Sequence, residues 1–98
     1  MTVVSVLRLT TQPGKEPDLV RAFAELEIFE RSRESGGFLG GRLLRPVGSG
    51  PFLVVAEWAS AGDYQGWLDN PVRSELGARL EPLLGEDVHA GELYEEAL

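Results

Sequence analysis

The chain has 98 residues, room for one domain around one core, and its 43% hydrophobic and 26% charged content exclude wholesale disorder. Sixteen acids against nine bases give a formal charge of −7, which argues against nucleic acid or an anionic membrane surface as the partner. With no cysteine and one histidine, disulfides, thiolate nucleophiles, zinc ribbons, Fe–S clusters and His-rich metal sites are excluded. No apolar run approaches the roughly 20 residues of a membrane span. Met1-Thr2-Val3-Val4 lacks the regions of a signal peptide, so a cytoplasmic location is expected.

Residues 3–11, rich in β-branched and Leu residues and closed by Gln12-Pro13-Gly14, read as a strand. Residues 15–35 read as one helix, because Leu19, Ala22, Phe23, Leu26 and Phe29 recur with helical spacing. Pro17 suits the first turn, Glu16 and Asp18 suit the positive end of the helix dipole, and Gly36-Gly37 ends the element. Two strands follow over residues 38–45 and 52–59, joined by a Gly/Pro-rich hairpin loop at 46–51. Ser60 and Asp63 form a capping-box pattern for a short helix through Leu68. Asn70-Pro71 caps a further helix in which Val72, Leu76, Leu80 and Leu83 share a face. A last strand is expected over residues 87–95, with the C-terminal residues frayed.

The order β-α-β-β-α-α-β predicts an α+β fold, a four-stranded antiparallel sheet with its helices on one face. In the third strand Phe52, Val54, Ala56 and Trp58 point one way and Leu53 and Val55 the other; in the first, Val4 and Val6 oppose Ser5, Leu7 and Leu9. Both sheet faces are therefore apolar, where a wet face would alternate with polar residues. A second copy of the chain is the economical cover, and Leu7, Leu9, Leu53 and Val55 are the expected contact surface of a homodimer joined through its sheet faces.

The motifs Pro13-Gly14-Lys15-Glu16, Gly36-Gly37-Phe38-Leu39, Ala56-Glu57-Trp58-Ala59-Ser60, Tyr64-Gln65-Gly66-Trp67-Leu68 and Asn70-Pro71 come in an order and spacing that resemble the antibiotic biosynthesis monooxygenase (ABM) family, over residues 3–95 of the single domain 1–98. The resemblance implies a ferredoxin-like fold, a dimeric α+β barrel and a pocket in each subunit between sheet and helices. One branch of that family oxidises polycyclic phenols to quinones with dioxygen and no metal or prosthetic group. Its pocket Trp and Tyr fall at Trp58 and Tyr64, but its Asn falls at Val54 and its last-helix Arg at about Gly77. A second branch degrades heme with an Asn, a Trp and a His. Of these only the Trp carries over, at Trp67; Leu7 and Gly77 stand at the other positions, so heme degradation is not expected.

Each candidate has a plain structural reading beside the functional one. Trp58 is either a core plug whose indole N–H needs a partner or a ring on which a planar substrate stacks. Tyr64 and Trp67, three apart, share a helix face and either pack on the sheet or rim a pocket. His89 is a general-base candidate, or a solvated residue on an acidic strand. Glu30 falls on the apolar stripe of the long helix, yet its charged neighbours suggest a solvated place at the pocket mouth. Arg42 and Arg45 are expected to pair with carboxylates, and Gly48-Ser49-Gly50 lacks the Lys of a phosphate loop. The expected site is walled by Phe23, Val54, Trp58, Tyr64 and Trp67, with Ala56 and Gly40 leaving the concavity. Trp58, Tyr64 and His89 are its candidate catalytic residues, and no metal, heme or flavin is expected. Two functions fit: a cofactor-independent monooxygenase acting on an aromatic, quinol or polyketide-like molecule, or a non-catalytic binding or accessory protein for a small apolar molecule.

Overall fold

The computed structural model describes residues 1–88 and 91–98, the side chains of residues 86–88 apart. In chain order the elements are β1 (Val3–Thr11), α1 (Glu16–Glu25), α2 (Ile28–Glu34), β2 (Phe38–Leu44), β3 (Phe52–Trp58), α3 (Ala61–Leu68), α4 (Pro71–Leu80), a 3-10 turn (Glu81–Leu83), β4 (Leu84–Val88) and β5 (Glu92–Tyr94). The sheet is antiparallel with order β2-β3-β1-β4, and β5 also pairs with β1. This is the ferredoxin-like architecture that the order of elements predicts. The expected last strand is two segments along one edge of β1: β4 reaches Leu9 and Thr11, and β5 reaches Val4 to Val6. It also begins earlier than expected, at Leu84.

The register of β1 against β3 runs from Val3 opposite Trp58 to Leu9 opposite Phe52. Side chains alternate along a strand, so Ser5, Leu7 and Leu9 share a face with Phe52, Val54, Ala56 and Trp58. Leu9, Phe52, Ala56 and Trp58 join Leu19, Phe23, Ile28, Tyr64, Trp67, Leu76 and Leu80 in one buried cluster, so the helices cover that face. Leu7 and Leu9 are therefore not on the outer face, contrary to the sequence expectation. Their alternation with Val4 and Val6 puts them under the helices. The outer face carries Val4, Val6, Leu53 and Val55, all half-buried, with exposed Leu44 beside them. An Arg8–Glu92 ion pair fastens β5 to β1.

The long helix expected over 15–35 is broken at Glu27, whose backbone is left-handed (φ 53°, ψ 45°). The break has a packing cause. On an unbroken helix Ile28 would lie about 180° from Leu19 and point to solvent. Turning the chain at Glu27 brings Ile28 and Ser32 into the core, where both are buried, and sends Glu30 outward. Both expected caps form: Ser60 Oγ accepts from the Asp63 backbone N–H at 3.1 Å, and Asn70 Oδ1 accepts from that of Val72 at 2.9 Å.

A register shift in β2 between Phe38 and Gly40 puts Gly41, not Gly40, opposite Ala56 on the core face. Phe29 lies against Gly41, where a methyl group would meet its ring at 2.7 Å, whereas nothing lies within 4 Å of the same position at Gly40. Gly41→Ala should consequently cost about 1–3 kcal/mol through overpacking, and Gly40→Ala should change stability by no more than about 0.5 kcal/mol. Urea denaturation of the two variants checks the contrast.

Candidate functional site

Between the helices and the sheet lies a cavity of about 700 Å³, the size of an ordinary small-molecule site. Ser5, Leu7 and Leu9 of β1 and Val54, Ala56 and Trp58 of β3 form its floor. Phe23 of α1 and Ile28, Phe29 and Ser32 of α2 close one side; Tyr64, Trp67 and Leu68 of α3 and Arg73, Leu76, Gly77 and Leu80 of α4 close the other. All five residues expected to wall the site, Phe23, Val54, Trp58, Tyr64 and Trp67, line this one cavity.

The aromatic side chains form a series. Phe23 and Phe29 have ring centroids 5.8 Å apart, Phe29 and Phe38 stack at 6.1 Å, Phe38 meets Trp58 edge-on at 5.2 Å, and Trp58 meets Tyr64 at 5.6 Å. Arg33 caps the Phe38 ring at 5.7 Å. Each ring is held by the next, so the wall is pre-formed. Trp58 is almost wholly buried, at 1% exposure, and its indole Nε1 donates to Ser5 Oγ at 3.0 Å. That bond commits the only polar atom of the ring, leaving its apolar surface as what Trp58 presents to the cavity. Ser32 Oγ donates to the Ile28 carbonyl at 2.8 Å and is likewise occupied.

Tyr64 differs. No hydrogen bond engages its hydroxyl among the described residues, and Gly91 backs onto it so closely that a methyl group there would collide with the oxygen. Burial raises the Tyr64 phenol above its usual pKa, and the nearby positive charge of Arg73 pulls the other way. The net direction is upward. Tyr64 is therefore a protonated hydroxyl at neutral pH, able to donate to a ligand.

Arg73 was not foreseen in the sequence. It is half-buried in the cavity wall, and no carboxylate among the described residues pairs with it. Its spacing held the signal: Arg73 lies one turn before Gly77 and three residues before Leu76, on the side of α4 that packs inward. Gly77 is exposed yet lines the cavity, with nothing within 4 Å of where a Cβ would stand, which locates the mouth. Exposed Glu81 stands on the same rim.

The remaining candidates fall elsewhere. Glu30 is exposed and borders a separate depression of about 360 Å³ behind Phe23 and Phe29, together with Arg45 and Phe52. Arg42 and Arg45 form no ion pair among the described residues, contrary to expectation; Arg45 instead lies over the Phe52 ring at 6.0 Å, which its position just past β2 allows. His89 lies outside the described residues. None of the described helices is long and apolar enough to cross a membrane.

The sequence model of the antibiotic biosynthesis monooxygenase family matches residues 2–78, most of the chain. The chain belongs to the ABM family. Among solved structures it is similar to the heme-degrader MhuD of Mycobacterium tuberculosis, with two hemes bound in its active site (31% identity, 98% of this chain and 96% of that one, TM-score 0.77). It also shares its fold with SnoaB, a cofactor-independent oxygenase of Streptomyces nogalater (20% identity, 99% and 94% coverage, TM-score 0.79), and with a conserved protein of Methanosarcina mazei (13% identity, 98% and 93% coverage, TM-score 0.80). No curated protein matches the chain.

Replacing Ser5 by Ala leaves the Trp58 indole N–H without its partner in the core of this ABM domain. The variant should lose about 1–3 kcal/mol of stability, measured by urea denaturation followed through Trp emission.

Proposed function

We propose that this ABM protein is a small monooxygenase that binds a planar aromatic, quinol or polyketide-like molecule in the cavity and presents it to dioxygen without a cofactor. The carrying observation is the pre-formed aromatic cavity into whose largely apolar wall Tyr64 brings a hydroxyl without a hydrogen-bond partner among the described residues. Stacking on Trp58 and Tyr64 fixes the ring plane, the Tyr64 hydroxyl orients the ligand oxygen, and the apolar floor excludes water. The chemistry asks for no external reductant. A phenol C10H8O and O2 give a quinone C10H6O2 and water, with all four electrons supplied by the aromatic ring, the ring-bound oxygen coming from O2. His89 remains the proposed proton acceptor, on its sequence position alone.

The likeness to a heme-degrader brings heme into view as a ligand, and the described wall does not suit it. Among the described lining residues none is His, Cys or Met; the Tyr64 hydroxyl is kept protonated by burial, and the carboxylate of Glu81 stands exposed on the rim. Leu7 and Gly77 in the wall add no ligand either.

1-Naphthol tests the proposal. It should quench Trp fluorescence at micromolar concentration, with oxygen uptake and formation of 1,4-naphthoquinone. Trp58→Ala should weaken binding by about 1–3 kcal/mol, the worth of a buried aromatic contact. Binding without oxygen uptake identifies the alternative, a non-catalytic binding or accessory protein. Unchanged binding in folded Trp58→Ala and Tyr64→Phe proteins removes the pocket assignment.

The protein is further proposed to be a homodimer joined through the outer sheet face. The half-buried Val4, Val6, Leu53 and Val55, adjoining exposed Leu44, make an apolar surface that no helix covers, since the buried residues of the helices join the opposite face. Sedimentation equilibrium at micromolar concentration should return about twice the 10.7 kDa chain mass, and Val55→Arg should shift it to the monomer. A folded monomeric wild-type chain would refute the dimer.

A further inference from the structure

We propose that Arg73 makes the cavity selective for a phenol bound as its anion, with the ionised oxygen seated between the Arg73 guanidinium and the Tyr64 hydroxyl. This rests on the reading of the cavity as an aromatic site, and goes beyond it by fixing the charge state of the ligand and the residue that sets it. The two groups come from different helices, α4 and α3, and both line the cavity. Burial raises the Tyr64 phenol and the Arg73 charge draws it back down.

A half-buried guanidinium without a carboxylate partner is costly to keep in an apolar wall. Every other charged side chain in the wall is a candidate to neutralise it, and there is one among the described residues, Glu81. No ion pair joins Glu81 to Arg73. The faces from β1, β3, α1 and α2 contribute Ser5, Leu7, Leu9, Val54, Ala56, Trp58, Phe23, Ile28, Phe29 and Ser32, none of which ionises in the ordinary range. Among the described residues none supplies the counter-charge, and the proposed ligand does. A guanidinium carries donors in a planar fork and no acceptor, and an intact Tyr hydroxyl adds a further donor, so the pair selects an oxygen that only accepts. A phenolate is such an oxygen, and it is also the electron-rich form that dioxygen oxidises. The proton released on binding passes to solvent, directly or by way of the proposed acceptor His89.

The sign of the effect makes the test decisive. An apolar cavity alone raises the pKa of a bound phenol, because burial penalises the charged form, while a nearby cation lowers it. The probe is 4-methylumbelliferone, a planar phenol whose neutral and ionised forms absorb at different wavelengths, with its 7-methyl ether as the neutral control. Bound to the wild-type protein, the phenol should titrate about one unit lower than in solution, a tenfold gain in ionisation. Arg73→Gln should remove that shift, and Arg73→Lys should keep part of it. A bound phenol that titrates as in solution or higher, or a shift that survives Arg73→Gln, overturns the inference, and tight binding of the methyl ether then leaves the cavity reading standing. If neither coumarin binds the wild-type protein, the cavity reading fails and the inference falls with it.

Discussion

The pairing of β1 with β3 sets the position of nearly everything else. A slip of one residue would turn every side chain of one strand to the other face. In such a register Arg8 or Glu57 would lie beneath the helices and Trp58 or Leu9 would lie outside them. The register found is held by burial of Leu9, Phe52 and Trp58 and by the bond from the Trp58 indole to Ser5. Ser5 stands opposite Ala56, so the bond to Trp58 is a diagonal cross-strand contact, which exists in this register alone. The same bond turns the Trp58 ring and removes its polar atom from the cavity. One hydrogen bond thus serves the fold and defines the character of the site floor.

From that floor the aromatic series runs outward through Phe38 and Phe29 to Phe23 on one side and through Tyr64 on the other. Its geometry depends on small residues at defined places. Gly41 admits Phe29, and Gly91 admits the Tyr64 hydroxyl. The polar content of the cavity is correspondingly spare. Ser5 and Ser32 are bonded within the protein, whereas Tyr64 and Arg73 have no hydrogen-bond or ion-pair partner among the described residues. Membership of the ABM family supplies the architecture, and under the proposed function the choice of chemistry within it falls to those two side chains and the rings around them.

Much of this was legible in the sequence because it follows from periodicity and caps. The alternation in residues 52–58 marks the face that meets the helices, and Ser60 and Asn70 announce helix starts that form as expected. The five wall residues were placed by the family motifs as much as by pattern. The features missed share a physical origin: they arise where tertiary packing overrides a local rule. Leu19, Phe23 and Leu26 continue smoothly into Glu30 on a helical wheel, and Glu27 has no side-chain feature that predicts a left-handed backbone. Only the need to bury Ile28 explains the break. The bulge in β2 exchanged the roles of Gly40 and Gly41, and no residue type marks it. Arg73 belongs to none of the family motifs, whose last-helix Arg falls at Gly77, one turn away.

Gly77 also bears on how such a protein changes its ligand. It sits on the rim of the mouth, in a helix, with no atom near the space a side chain would occupy. A helix interior prefers almost any residue to glycine, by about 1 kcal/mol against Ala. Substitution there therefore meets no packing barrier and carries a stability gain, while every atom added projects into the entrance. A single codon at position 77 can narrow the aperture, add a charge beside Arg73 or lay an apolar lip over the opening. The scaffold thus separates the part that must stay fixed for folding from a part free to drift, and substrate range can diverge at that point without repacking the core.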